Sequence, residues 1–271
     1  MSRRLYSYGW PAGVIALWGF FAIAGNWLGL NPNDIELPKI LLAPGSDAWL
    51  GYDDLGRPMW DRLVAGAQTS FLVAVLVVLI SSIVGTAIGS ISAYLGGWWD
   101  HVIVRIIEIF LAFPGILLAI ALAGLLGPGI NNIIIALGVV GWVGFARVAR
   151  AQVLTLKHRE HVQAAQALGT RPVVIIWRHI IPLMMAPLIV ESTFAVAGVV
   201  IAEAGLSFLG LGVQPPESSW GSMIRDGARY MLVAPHMVLV PGAALMLVVL
   251  AVNLLGDRLR DRLDVRTKPR E

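Results

Sequence analysis

Long apolar runs separated by shorter polar segments are the dominant pattern of this sequence. Two of the runs, at 71–94 and 109–145, contain no charged residue. About 20 helical residues cross the hydrocarbon core of a membrane, so apolar runs of this length predict membrane-spanning helices. The tripeptide Gly127-Pro128-Gly129 divides the second run into two helices. The pattern as a whole predicts six spans, at about 9–30, 69–94, 102–126, 130–149, 183–204 and 231–255.

The composition supports the same conclusion. Hydrophobic residues make up 57% of the 271 residues and charged residues only 14%, whereas soluble domains carry about 25% charged residues. We therefore predict an all-α, polytopic membrane protein. The first apolar run has no small-residue cleavage site, which favours an uncleaved span over a signal peptide. The absence of cysteine excludes disulfides and cysteine-based metal sites.

The distribution of basic residues predicts the orientation in the membrane. Cytoplasmic loops are enriched in Lys and Arg, so the side of the membrane that carries most of them is predicted to be the cytoplasm. With both termini inside, the cytoplasmic side holds Arg3, Arg4, Arg147, Arg150, Lys157, Arg159, Arg171, Arg178, Arg258, Arg260, Arg262, Arg266, Lys268 and Arg270. The exterior side holds only Lys39, Arg57, Arg62, Arg225 and Arg229. The net charge of +3 does not indicate nucleic-acid binding, because basic residues also gather in the cytoplasmic loops of membrane proteins.

The cytoplasmic loop at about 150–182 has a helical pattern of its own. Residues 160–168 are rich in helix formers and are followed by Gly169, which is typical of a helix C-terminus. Thr170 is placed to cap a second helix, and Pro182 to end it. In that second helix, one apolar face is predicted from the spacing of Val173, Ile176, Trp177 and Ile180. Two short helices that meet at a glycine form a projection that fits a groove on another protein.

The chain lacks the motifs of an enzyme. A phosphate-binding loop needs Gly-Lys-Ser/Thr, but the only lysines are Lys39, Lys157 and Lys268, and none has this context. A His-Glu-x-x-His motif is also absent. His158 and His161 have no third ligand nearby and are expected to be solvated. We therefore predict no catalytic residue, no metal site and no cofactor in this chain.

Three acidic residues fall within predicted spans, where carboxylates are costly and usually serve a function. Glu108 lies three residues after Arg105, so the two are expected to pair on one helix face. Glu191, with Ser192 beside it, is a candidate for the lining of a solute path. Glu203 lies near the outer end of its span and is expected to hold the turn that follows.

Several motifs give the chain a resemblance to a known family. The sequence Gln163-Ala164-Ala165, followed by Gly169 and Ile181-Pro182, resembles the "EAA" loop of ATP-binding-cassette (ABC) importer permeases, although glutamine replaces the usual glutamate. The segment 50–57 resembles the exterior LGTDxxGRD signature of the dipeptide/oligopeptide/nickel branch, with Tyr52 and Pro58 as departures. Further matches to that branch lie at 111–114, 202–212, 214–216, 219–221 and 253–257, so the resemblance covers about 50–265.

The resemblance implies that this chain is a "C"-type permease of an importer in the bacterial inner membrane. It implies as partners a second homologous permease, two ATPase subunits that carry ATP and magnesium, and an extracytoplasmic binding protein. The coupling residues that contact an ATPase would be Gln163, Ala164, Ala165, Gly169 and Pro182. Residues 1–68 would form an N-terminal span and exterior segment, and 69–271 the transmembrane domain of the family.

The sequence leaves alternatives for the transported solute and for the class of transporter. The family branch favours di- or oligopeptides, and nickel or a metal chelate is the alternative. A secondary transporter is a more distant alternative, because such transporters are often built from repeats and no internal repeat is visible here.

The two exterior segments predict a docking collar. Both interleave charged and aromatic residues, and we expect Asp53, Asp54, Arg57 and Trp220 to contact the binding protein and form the outer gate. The alternative is that Asp53 and Arg57 pair with each other and fix the fold of a short exterior helix.

Overall fold

The structure is a computed structural model that describes residues 2–46 and 48–263, with side chains from residue 9 onward. The basic residues Arg3, Arg4, Arg266, Lys268 and Arg270, which entered the prediction of orientation, lie outside the described side chains. The helices are α1 Ser2–Ala24, α2 Met59–Leu95, α3 Gly97–Leu111, α4 Gly115–Leu126, α5 Ile130–Leu156, α6 Glu160–Ala167, α7 Pro172–Ile175, α8 Ile181–Phe208, α9 Trp220–Ala228 and α10 His236–Leu263. Short 3₁₀ turns lie at Gly25–Trp27 and Leu37–Lys39, and a π turn at Ile176–Ile180 joins α7 to α8. The described residues contain no strand beyond an isolated bridge between Tyr52 and Pro58, so the all-α prediction is confirmed.

The number of spans differs from the prediction. Within the described residues, four helices are long and apolar enough to cross a membrane, at Met59–Leu95, Ile130–Leu156, Pro172–Phe208 and His236–Leu263. A fifth span is added if α3 and α4 are counted together. The helix α1, which covers most of the first predicted span, is not among them. The second span begins at Met59 rather than at residue 69, so the exterior segment ends earlier than predicted.

The span predicted at 102–126 is broken into two helices. The axes of α3 and α4 differ by 86°, and the break lies between Leu111 and Gly115. Pro114 at this point has no backbone N–H and disfavours helical geometry in the residue before it. Pro114 therefore accounts for the break between α3 and α4. Pro187, in contrast, lies inside α8 without interrupting it.

Close packing of α2 on α5 forms the centre of the molecule. Gly85 and Gly89 of α2 face the α5 backbone so closely that an added Cβ atom would collide with the carbonyl groups of Trp142 and Ala146. Small residues allow such an approach of two helices in a membrane, so this glycine pair lets the two helix backbones pack in direct contact.

Two of the buried apolar clusters position the functional regions. One cluster joins α1, α2, α8, α9 and α10 and includes Trp18, Trp220 and Met237. The other joins α5, α8 and the loop between them and includes Val153, Val162 and Ile180. The loop is therefore fixed to the ends of two spans by its own core.

Candidate functional site

The loop between α5 and α8 begins with a helix that ends in a glycine turn. The Gly169 N–H donates to the Gln166 carbonyl (2.9 Å), and the Thr170 N–H donates to the Ala165 carbonyl (3.1 Å). Gly169 has φ +77°, a conformation that glycine adopts without the steric cost of a Cβ atom. The prediction of a helix over 160–168 that ends at a glycine is confirmed within one residue.

The second helical segment of the loop differs from the prediction at both ends. It begins at Pro172 with Arg171 as its N-cap, so Thr170 does not cap it, because the Thr170 backbone is part of the glycine turn. Pro182 does not end it either, since the chain continues from the π turn into α8. A proline fits in the first turn of a helix, where its missing N–H is not needed.

Only part of the predicted coupling set faces outward. Gln163, Ala164, Gly169 and Pro182 are exposed, whereas Ala165 is buried. Ala165 packs in the same cluster as Val162, because residues three apart share a helix face. The expectation that Ala165 contacts an ATPase directly is therefore corrected: it holds the helix against its own chain.

Apolar side chains are exposed next to these residues. Leu168 is 85% exposed and Trp177 is 68% exposed. The apolar face predicted for the second helix is split, with Ile176 and Ile180 buried and Val173 and Trp177 exposed. The π turn changes the register of the helix and thus breaks the i, i+3, i+4 pattern. Leu168 was not among the predicted contacts, although an apolar residue directly before a terminating glycine is a signal for one.

Polar contacts fix this loop to the neighbouring helices. The Arg150 guanidinium donates two hydrogen bonds of 2.8 Å to the Asp100 carboxylate. The Lys157 ammonium donates to the Ala93 carbonyl (3.1 Å), and the Gln166 amide donates to the Tyr94 hydroxyl (2.9 Å). The end of α2 and the start of α3 therefore support the loop. These contacts could not be predicted from the sequence, because the residues that form them are far apart along the chain.

In the segment predicted to be exterior, Asp53 is the centre of a buried ion-pair cluster. Its Oδ2 accepts from Arg57 Nε (2.7 Å) and lies 3.2 Å from Arg62 Nε. Its Oδ1 accepts from the backbone N–H groups of Leu55 (2.9 Å) and Arg57 (2.8 Å). Asp53 is only 3% exposed and Arg57 is also buried. The expectation that these two residues contact a binding protein is corrected, because they hold a turn together; the turn replaces the short helix of the alternative prediction.

Trp220 is also an internal residue. It is 3% exposed, its indole Nε1 donates to the Leu63 carbonyl (3.0 Å), and its ring packs against Trp18. It begins α9, where Ser219 and Ser222 form a capping box. The expectation that Trp220 contacts a docked protein is corrected, since its side chain is used to fix α9 to α2.

Asp54 is the one member of the predicted collar that keeps partial exposure. Partial burial raises the pKa of its carboxyl, and the neighbouring charge of Asp53 raises the pKa further. Arg57 Nη2 lies 3.7 Å from Asp54 Oδ1 and partly offsets this effect.

Glu203 of α8 is fully buried, with its side chain facing α2. Its carboxylate accepts hydrogen bonds from the hydroxyl groups of Ser70 (3.0 Å) and Ser207 (2.7 Å). A buried carboxylate is tolerated when it is hydrogen-bonded in this way. It therefore joins α8 to α2 near the ends of these spans that are predicted to face outward.

A charged cavity of about 670 Å³ lies between α3, α5 and α8. Its walls carry acidic and basic side chains together with Gly144 and several aliphatic residues. The Glu108 carboxylate in this wall accepts from Arg105 at 2.6 Å, so the predicted pair is confirmed. Glu191 lines the cavity, whereas Ser192 lies in a different groove and donates to the Leu188 carbonyl (2.8 Å). The charged members of the wall are Glu108, Arg147, Arg150 and Glu191.

Comparison with known proteins identifies the family. Residues 85–269 match the model described as "Binding-protein-dependent transport system inner membrane component". The glutathione transport system permease proteins GsiD of Escherichia coli O6:K15:H31 and of Shigella boydii serotype 4 are each 43% identical over 251 residues. Each alignment covers 91% of this chain and 82% of the relative.

A solved structure shows the same fold. A chain of the inward-facing methionine ABC transporter MetNI superposes with a TM-score of 0.61 at 18% identity, covering 76% of this chain and 97% of that one. The structural similarity to MetNI shows the fold, whereas the sequence relatives and the family match show the family. The chain therefore belongs to the binding-protein-dependent transport system inner membrane components, and it is a multi-pass permease subunit of an ABC importer, a transport component rather than an enzyme.

Proposed function

We propose that this permease pairs with a second homologous permease and is driven by two ATPase subunits, while an extracytoplasmic binding protein delivers the solute. Both termini would lie in the cytoplasm, in agreement with the positive-inside pattern. ATP and magnesium would be bound by the ATPase subunits. The ATPase that serves this chain would bind the coupling surface, which we define as Gln163, Ala164, Leu168, Gly169, Val173 and Trp177.

The exposed apolar side chains of the coupling surface carry this proposal. Leu168, Val173 and Trp177 are exposed on a loop that also carries the basic residues Arg159, Arg171 and Arg178. Exposed apolar groups that are rimmed by polar residues are typical of protein–protein contacts. The loop is also held firmly enough to transmit force, because Arg150 and Lys157 fix its start to neighbouring helices.

The absence of cysteine from the natural chain makes a direct test possible. We expect Ala164→Cys to react with a membrane-impermeant maleimide in inside-out vesicles and to become protected when the ATPase subunits are added back. The matched control is Glu217→Cys, an exposed exterior position that should react only in right-side-out vesicles and gain no protection. Labelling of Ala164→Cys from the outside, or equal labelling with and without the ATPases, would contradict the proposal.

We further propose that the solute is a di- or oligopeptide, including tripeptides of the size of glutathione. The support comes from the two relatives that are named as glutathione transport permeases. Uptake of radiolabelled glutathione, dipeptides and nickel into vesicles with the complete transporter separates the alternatives. Peptide uptake that depends on ATP and on the binding protein is expected; uptake of nickel alone would replace the peptide assignment with the metal alternative.

A further inference from the structure

Two side chains of opposite charge face the charged cavity from different spans. Arg147 lies on α5 and Glu191 on α8, about equally far from the cytoplasmic loop that joins these helices. Glu191 extends onto the surface of α5, since a Cβ atom at Gly144 would lie 2.6 Å from Glu191 Oε1. Gly144 is one helical turn before Arg147 on the same face. The glycine thus makes room for the carboxylate beside the arginine.

The other two charged residues of the cavity wall already have partners. Glu108 pairs with Arg105 at 2.6 Å, and Arg150 pairs with Asp100 at 2.8 Å. In the part of the chain that the structure describes, neither Arg147 nor Glu191 has a hydrogen bond or an ion pair within 4.0 Å. The two charges are close enough to act on each other electrostatically, but they are not in contact. Charged side chains of membrane helices that lack a contact ion pair and a hydrogen bond in their own chain mark a path for a polar solute.

The balance of charge narrows the class of solute. The wall carries Glu108 and Glu191 against Arg147 and Arg150, so the cavity has no net charge to attract an anion or a cation as such. A solute with one negative and one positive group can instead neutralise both unpaired side chains at once. The volume of about 670 Å³ lies within the range of about 300–1,000 Å³ that is usual for sites of small molecules.

We propose that Arg147 and Glu191 form a subsite for zwitterionic solutes, in which Arg147 binds a carboxylate and Glu191 binds an ammonium group. This assignment rests on the proposed function, because it places the charged cavity on the solute path. A guanidinium is suited to carboxylates through paired N–H donors. The free termini of a short peptide supply both groups, and they do so whatever its side chains are.

The test measures weak peptide binding to the complete transporter in the absence of nucleotide and of binding protein, by saturation-transfer difference NMR. The probes are trialanine, trialanine amide and N-acetyl-trialanine, which differ only in which terminus is charged. We expect trialanine to bind about ten-fold more tightly than either blocked peptide, since a hydrogen bond to a charged group is lost with each block. Equal affinity of the wild-type complex for all three probes would overturn the subsite without recourse to a variant.

Variants then assign each terminus to its residue. Arg147→Gln should abolish the preference over trialanine amide and keep the preference over the N-acetyl peptide, and Glu191→Gln should do the reverse. The control is Thr193→Val, because the Thr193 hydroxyl donates only to carbonyls of its own helix and this residue packs towards α10; it should keep both preferences. Variants that change all three affinities equally would show a structural role instead.

Failure of the subsite can be separated from failure of the proposed function. Stimulation of ATP hydrolysis by the binding protein in the reconstituted wild-type complex tests the function and does not involve the blocked peptides. Stimulation without discrimination among the three probes would refute only the subsite. A complex that shows no stimulation at all would refute the proposed function, whatever the peptides do.

Discussion

The guanidinium of Arg150 and the carboxylate of Asp100 form a two-bond ion pair between the end of one membrane helix and the beginning of another. The two hydrogen bonds are both 2.8 Å long, and the residues are 50 positions apart in sequence. Because both side chains are partly shielded from solvent, the pair fixes α3 to α5 just before the coupling surface.

A double-mutant cycle measures this pair. We expect Asp100→Asn and Arg150→Gln each to lower the thermal stability of the purified complex, and the double variant to lose less than the sum. The coupling energy should be about 1 kcal/mol, as for a well-aligned pair with partial exposure. Simple additivity of the two changes would show that the ion pair contributes nothing to stability.

The glycine turn after α6 predicts a specific defect in coupling. Gly169→Val should place a β-branched residue at φ +77°, which costs about 1–2 kcal/mol for a residue with a side chain. Since no atom lies within 4 Å of the added Cβ, the effect would come from the backbone, which must move the exposed surface. We expect transport to be lost and ATP hydrolysis to no longer respond to the binding protein, with normal membrane insertion.

The matched control for that variant is Gly169→Asn, because asparagine tolerates the left-handed conformation. It should retain most of the uptake measured in proteoliposomes. Normal uptake by Gly169→Val would contradict a role of this turn in coupling.

Gln163 stands where the family usually has glutamate, and it is exposed on α6. If it serves through a hydrogen bond, Gln163→Glu should be tolerated, whereas Gln163→Ala should weaken binding of the ATPase subunit by about 0.5–1.5 kcal/mol. Titration of the solubilised permease pair with the ATPase subunits gives these affinities. Loss of assembly in Gln163→Glu would instead indicate an acidic partner on the ATPase.

Asp53 and Asp54 are adjacent acids with opposite expected effects on stability. Asp53→Asn removes the partner of Arg57 and Arg62, both buried, and should destabilise the exterior segment by about 3–5 kcal/mol. Asp54→Asn removes a partly buried carboxylate whose ionisation is unfavourable, so it should raise the melting temperature at neutral pH. The same fall in stability for both variants would show that Asp54 is needed for its ion pair with Arg57.

The pH dependence of stability follows from the raised pKa of Asp54. Between the ordinary aspartate value of about 3.9 and the higher folded value, the folded protein binds more protons than the unfolded chain. The contribution of Asp54 to stability therefore decreases as the pH rises through this window. The melting temperature of the wild type relative to Asp54→Asn should accordingly improve as the pH is lowered from 7 into the window. A difference that does not change with pH would refute the shift.

The features that sequence predicts well here are local ones. Gly169 ends a helix and Pro114 breaks a span, because the backbone preferences of these two residues act on their immediate neighbours. The apolar runs likewise predict the core spans, although Met59 rather than residue 69 begins the second, since a helix can continue beyond its apolar part.

The wrong predictions concern side chains whose residue type suits either a contact within the chain or a contact with a partner protein. Asp53, Arg57 and Trp220 show the interleaved charges and aromatic rings of a docking site, but an internal cluster has the same composition. The fold of the backbone determines which kind of contact forms, because it brings Arg62 to Asp53 and Leu63 to Trp220. Arg147 is the opposite case. It was counted among the basic residues that predict the orientation in the membrane, whereas the structure places it in the wall of the charged cavity.

The glycines that bring α2 against α5 also determine how force travels through this subunit. Because Gly85 and Gly89 lie against the backbone of Trp142 and Ala146, the two helices are in backbone contact with no flexible side chain between them at these positions. We expect α2 and α5 to move together as one rigid unit. The 27 residues of α5 give this unit a length of about 40 Å. We therefore expect a tilt imposed at the end that carries the coupling surface to reach the opposite end of the membrane. The movement needed for opening is then expected at other helix interfaces, such as the one around the charged cavity.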